Sequence, residues 1–157
     1  MSRRAQIRMS EEELAGFLGG ARTIIINSIG PGGVPHPMPM WFAMEPGGAI
    51  VMSTFTKSQK IRNIERDPRV SLLVEDGETY GTLRGAVLYG EAELIRGEDA
   101  VTEILVQVNR RNVHEASAAD DETIRNAVRR TAPKRTGIRI RPRRSLTWDH
   151  RKLGGVY

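Results

Sequence analysis

The chain has 157 residues, 39% hydrophobic and 27% charged, a balance that fits one globular domain over residues 1–157 with a core large enough to need no covalent staples. It contains no cysteine, which excludes disulfides and thiolate metal sites. Net charge is +5, and the excess is concentrated from Arg129 to Lys152, where ten Lys or Arg accompany a single acid, Asp149; such a segment suits an anionic partner or is a solvated surface.

The opening "MSRRAQIRMSEEE" has no apolar run of the signal-peptide kind, and no run reaches transmembrane length. The expected compartment is the cytoplasm, with no membrane involvement. "SEEELAGFLGG" predicts a short helix, capped by Ser10 with Glu13 and stopped at Gly19-Gly20. "RTIIINSI" is a β-branched strand, "GPGG" a turn, "VPHPMPMWFAM" its partner, and "AIVMSTF" a third strand after "PGG". Together these predict a β-meander. Within the second strand, Pro37 and Pro39 remove two backbone donors on one side. That run is either an edge strand or the wall of something that is not protein.

"KSQKIRNIERDP" changes period, with Ile61 and Ile64 three apart, and predicts a helix of about two or three turns that Pro68 ends after Asp67. "RVSLLVED" and "RGAVLYGEAELI" are strands, the second with Gly85 and Gly90 as bends or bulges. "EDAVTEILVQVNRRNV" and "DDETIRNAVRR" are helices around "HEASAA", and "GIRIRP" closes the sheet with Ile138 and Ile140 on one face and Arg139 and Arg141 on the other. The remainder, "RRSLTWDHRKLGGVY", is either a loosely ordered terminus or is held by Trp148 and Tyr157. The order points to a small antiparallel barrel, with an open α+β sheet or an OB-like barrel as alternatives.

Chemistry gathers at "STFTKSQK". Ser53, Thr54, Thr56 and Ser58 bring hydroxyls to the start of a helix flanked by Lys57 and Lys60, with Arg62 and Asn63 a turn further on. That is either a seat for an anion or an ordinary capped surface helix. Met38, Met40 and Trp41 form a flat apolar wall beside it or are simply core. His36, His114 and His150 are scattered without metal-ligand spacing. His36 is either a cofactor contact or a surface histidine at a turn end, and Glu75, Asp76 and Glu78 read as a solvated hairpin cluster.

"KSQKIRNIERDPRVSLLVEDGETYGTLRGAVLYGEAEL" and "LTWDHRKLGG" resemble the flavin- and deazaflavin-binding split-barrel family of the pyridoxamine phosphate oxidases. They look most like the branch of actinobacterial reductases that use coenzyme F-420. The resemblance implies a mainly β (α+β) fold, a split β-barrel of antiparallel strands with peripheral helices. It implies a homodimer with cofactor grooves between the barrels and hydride transfer from reduced F-420 to an electron-poor double bond of a small substrate. By position, Met38, Pro39, Met40 and Trp41 would line the ring edge, and Ser53 and Thr54 would sit beside the ring and its ribityl chain. Lys57, Ser58 and Lys60 would hold the phosphate with Asn63 nearby. Gln59 stands where the oxidases have an arginine, and Gly85 where they have a glutamine; with the oxidases' C-terminal substrate motif also absent, these differences weigh against FMN, the alternative cofactor. Trp148, Arg151 and Lys152, with Arg143 or Arg144, would meet the glutamate chain that F-420 carries beyond its phosphate. No side chain is assigned as catalytic acid or base. A different class of function, a basic binding module for nucleic acid, has the Arg129–Lys152 charge for it. Against it stand a 5% aromatic content and the lack of a helix-turn-helix or stacking-sheet signature.

Overall fold

A computed structural model describes residues 2–112 and 119–154. His114 and Tyr157 lie outside them. The described helices are α1 (Arg3–Gln6), α2 (Glu11–Gly20), α3 (Gln59–Arg66), α4 (Glu98–Asn112) and α5 (Asp121–Arg129). The strands are β1 (Thr23–Ile29), β2 (Pro35–Trp41), β3 (Ala43–Met44), β4 (Ile50–Phe55), β5 (Arg69–Asp76), β6 (Arg84–Ile95) and β7 (Arg135–Asp149).

All seven strands form one antiparallel sheet in the order β2-β1-β5-β6-β7-β4-β3. β2 and β3 lie at opposite edges, yet only Phe42 separates them in the chain. The sheet therefore has to curl until its edges meet at Phe42, which is fully buried. This is a split barrel. Its interior is filled from both sheet halves by residues such as Ile24, Ile26, Ile50, Met52, Leu72 and Ile138, with Phe17 and Leu18 of α2 and Ile61 and Ile64 of α3 joining the same core. A separate apolar cluster fixes α5 to α4, and Ile104 and Val108 of α4 pack on Val51 and Ala43 outside the barrel.

The expected meander is corrected here. β1 pairs with β2 and β3 with β4, but "VPHPMPMWFAM" is broken at Phe42, and β4 pairs along β7 rather than β2. The segments 38–41 and 53–60 are thus not ladder neighbours. β2 is an edge strand. Its prolines oppose Ile29, Asn27 and Ile25 at alternate positions, while Met38, Met40 and His36 are left to hydrogen-bond β1.

The closing strand is also longer than the sequence predicts. β7 continues through "RRSLTWD" to Asp149, so the supposed tail is its second half. The N-terminal segment ties it down. Asp149 N–H donates to Ile7 O, and Met9 N–H to Thr147 Oγ1 at 3.0 Å. Gly90 sits at the one register shift between β6 and β7, as expected. Gly85 does not bulge. It pairs with Trp148, and a Cβ at Gly85 would overlap the Trp148 ring. The Ser10–Glu13 capping box on α2 is present, with Ser10 N–H donating to Glu13 at 2.6 Å.

The basic excess is largely answered within the chain. Arg139 forms a fork with Glu45 and Arg141 reaches Glu93; Arg143 pairs with Glu91 and Arg151 with Asp149. These are cross-strand or near neighbours, which is why composition alone overstates the free charge.

Candidate cofactor site

β4 divides the residues that the sequence grouped together. Side chains alternate across a strand. Ile50 and Met52 face the barrel core and Val51 faces α4. Thr54 therefore points inward and Ser53 outward, so the two residues expected beside the ring and its ribityl chain lie on opposite faces of β4. The same alternation separates the apolar wall. Met38 and Met40 share the face of their partners Ile26 and Ile24, whereas Pro39 and Trp41 face the other way.

On the inner side, Lys60 is 6% exposed and its Nζ donates to Thr54 Oγ1 at 3.1 Å. Among the described residues no carboxylate pairs with it. Burial pushes the Lys60 ammonium below the usual lysine pKa. Thr54 Oγ1 also lies 3.5 Å from Ser58 Oγ. Ser58 is the N-cap of α3 but makes no side-chain bond to its first turn, so this helix end presents N–H groups without a cap. Lys57 and Gln59 are exposed beside it. A cation lacking a counter-charge, two hydroxyls and an uncapped helix start are complementary to an anion such as a phosphate.

On the outer side, Trp41 and Ser53 line a hollow of about 360 Å³ roofed by Leu105, Val108 and Asn109 of α4, with Val128 and Thr131 from the α5 end and Arg135 from β7. Trp41 is 53% exposed. Ser53 Oγ and Arg135 Nε are buried without a hydrogen-bond partner, an arrangement that costs free energy unless something else supplies the bonds. The Arg135 guanidinium lies 4.5 Å from the Phe55 ring centroid. Asn109, Thr131 and Arg135 were not found in the sequence. The only available signal was that Arg135 and Gly137 alternate along the closing strand.

Asn63 has a different place. It is fully buried, donates to Ser28 Oγ at 3.0 Å and accepts from Gln59 Nε2 at 2.9 Å and from Arg66 at 3.4 Å. Its side chain locks α3 onto β1. Asn63→Ala is expected to cost about 1–3 kcal/mol, because it leaves the buried Ser28 hydroxyl without this partner; urea unfolding reads the loss.

Trp148, Arg151 and Lys152 are not brought to this site within one chain. Thr136 pairs with Thr54, whereas Trp148, twelve residues further along β7, lies beside Gly85 of β6. Arg151 is bound to Asp149 at 2.6 Å, and Lys152 to Glu13 at 2.6 Å and Arg8 O at 2.7 Å. Arg144 stacks 4.3 Å over Tyr89 and has no carboxylate partner among the described residues.

The family model of pyridoxamine 5'-phosphate oxidase matches residues 10–149. The chain belongs to the pyridoxamine 5'-phosphate oxidase family. The match ends at Asp149, just before Arg151 and Lys152. No curated protein sequence matches the chain. Among solved structures, it is similar to the conserved hypothetical protein Rv2991 from Mycobacterium tuberculosis, at 43% identity and TM-score 0.88, over 100% of this chain and 95% of that one. More distant likenesses share the fold. One is an F-420 reductase at 22% identity and TM-score 0.61, covering 83% of this chain and 93% of that one. Another is a FAD-binding protein from Mesorhizobium loti at 15% identity and TM-score 0.60, covering 90% and 94%. Among the described residues no helix is long and apolar enough to cross a membrane.

Proposed function

We propose that this chain is an oxidoreductase that binds reduced coenzyme F-420 at the end of β4 and reduces an electron-poor double bond of a small organic substrate. The observation that carries the reading is Lys60, a buried cation whose only side-chain partner among the described residues is the Thr54 hydroxyl. A phosphate seated there would remove the cost of burying that charge alone. Lys57, Ser58 and the α3 N-terminus would hold the same group from the solvent side. Trp41 and the unpartnered Ser53 Oγ would orient the planar part, and the α4–α5 roof would exclude water. When bound, the cofactor supplies the hydride. No side chain is assigned the accompanying proton.

Pairing of two chains is part of the proposal. On the sheet face away from the core, Pro39, Ile25, Leu73, Val87 and Leu146 form one apolar row through successive register pairs. Leu146 is 39% exposed, and an apolar row of this kind suits a two-fold contact. Joining two copies there offers a way to bring Trp148 of one chain towards the cofactor of the other. Leu146→Arg is expected to convert a dimer to monomer in sedimentation, with the fold retained.

FMN is the second reading, favoured by the family match and by the FAD-binding neighbour. Fluorescence titration of the purified protein with F-420 and with FMN separates the two. Saturable F-420 binding with weaker FMN binding is expected. Tight FMN with no response to F-420 would replace the deazaflavin reading, and binding of neither would remove both.

A further inference from the structure

We propose that Ser53 and Arg135 form a seat for an ionised ring oxygen, so that the hollow under α4 and α5 takes a planar conjugated ligand in its phenolate form. Phe55 pairs with Arg135 and Ser53 with Gly137, so β4 and β7 place Ser53, Phe55 and Arg135 on the same outer face of the sheet. Ser53 and Arg135 are diagonal neighbours on that face, within reach of one ligand. Gly137, opposite Ser53, puts no side chain between them. Ile104 of α4 closes over that glycine, since a Cβ there would lie 2.4 Å from Ile104 Cδ1. The Arg135 guanidinium lies over the Phe55 ring, a stacking that holds its plane in place.

Both donors are unused. Ser53 Oγ and Arg135 Nε line the hollow and are buried without a hydrogen-bond partner. The neighbouring polar side chains are turned back on the helix backbone. Asn109 Nδ2 donates to Leu105 O at 2.8 Å, and Thr131 Oγ1 donates to Val128 O at 2.8 Å. Among the described residues that line the hollow, Arg135 alone is charged. A buried donor left unsatisfied costs free energy, and an acceptor on a ligand would remove that cost.

The walls select the rest of the ligand. Leu105, Val108 and Val128 are apolar, and Trp41 offers a flat indole. Bare phosphate would leave these walls unused, and a cationic ring would be repelled by Arg135. A ring with an ionised oxygen accepts from both donors and meets the guanidinium charge. The same charge favours the ionised form of that oxygen over the protonated one. Coenzyme F-420 carries a hydroxyl on its ring where FMN carries a methyl group, so Arg135 and Ser53 would select the deazaflavin. That choice of ligand rests on the reading above, whereas the seat for the oxygen does not.

Calorimetric titration of the cofactor-free full chain with 4-nitrophenol, at a pH where the probe is a phenolate, tests the seat. Saturable one-to-one binding is expected, with 4-nitroanisole, the same ring without an ionisable oxygen, bound about tenfold more weakly or worse. Arg135→Met should weaken phenolate binding about tenfold or more, and Ser53→Ala about threefold or more. Both variants should bind 4-nitroanisole like the parent, with circular dichroism unchanged. The proposal is overturned if the phenolate does not saturate, if 4-nitroanisole binds equally well, or if Arg135→Met and Ser53→Ala bind the phenolate like the parent. The probe carries no phosphate, so a parent protein that fails to bind F-420 would remove the cofactor reading, while the phenolate titration alone decides the seat.

Discussion

Lys60→Met should yield a protein that is more stable and binds cofactor worse. In the parent, Lys60 is buried with one hydroxyl for company. Methionine keeps most of the side chain's apolar reach and removes a buried charge, a change expected to raise the stability of the cofactor-free protein by roughly 1–3 kcal/mol. Loss of a charge-assisted hydrogen bond to a phosphate should weaken cofactor binding about 10- to 100-fold. The two effects have opposite signs, and a merely structural lysine would not produce both. Stability should also depend on pH in a defined direction. Burial lowers the Lys60 pKa below its ordinary 10.5, so between the folded and unfolded values the unfolded chain holds more protons. Parent stability contributed by this group therefore rises with pH through that window. The advantage of Lys60→Met should be largest at neutral pH and should narrow as pH approaches 10.5. Parallel denaturation of both proteins at several pH values measures it. An advantage that stays constant over that range would show that Lys60 is not the source.

Gly85→Gln is the second large effect. The family resemblance aligns Gly85 with a glutamine, but here the Trp148 indole occupies the space that a side chain would need. Either β6 and β7 separate at that pair, or Trp148 swings into solvent. A cost of about 2–3 kcal/mol is expected, read from the urea midpoint. Gly85→Gln combined with Trp148→Ala should recover part of the loss, because the two positions share one volume. If the double variant simply adds the losses of the two single ones, the two residues are not exchanging space.

These positions also show what the sequence could and could not convey. Local signals held well: the Ser10–Glu13 cap, the strand "RVSLLVED", and the break before Pro68 each depend on neighbours within a few residues. The burial of Ile138 and Ile140 against the half-buried Arg139 and exposed Arg141 follows from the same period. Strand order was less legible. Hairpin logic placed "VPHPMPMWFAM" beside "AIVMSTF", but one fully buried phenylalanine, Phe42, sends the two halves of that run to opposite edges of the sheet.

The candidate site was legible as a set of residues more than as an arrangement. Ser53 and Thr54 are adjacent in the chain, and that adjacency is what places them on opposite faces of β4. Lys60 was identified, but its burial depends on how α3 packs against the barrel. Arg151 and Lys152 looked like free cations because their partners, Asp149 and Glu13, are respectively two residues away and at the other end of the chain. Asn63 looked like a ligand group because nothing in the sequence reveals that Ser28 lies opposite it.

A crystal of the protein grown with coenzyme F-420 measures the central claim most directly. The cofactor phosphate should lie within hydrogen-bond distance of Lys60 Nζ and the Ser58 end of α3, with the deazaflavin plane against Trp41. A cofactor bound elsewhere, with Lys60 still facing only Thr54, would contradict the account.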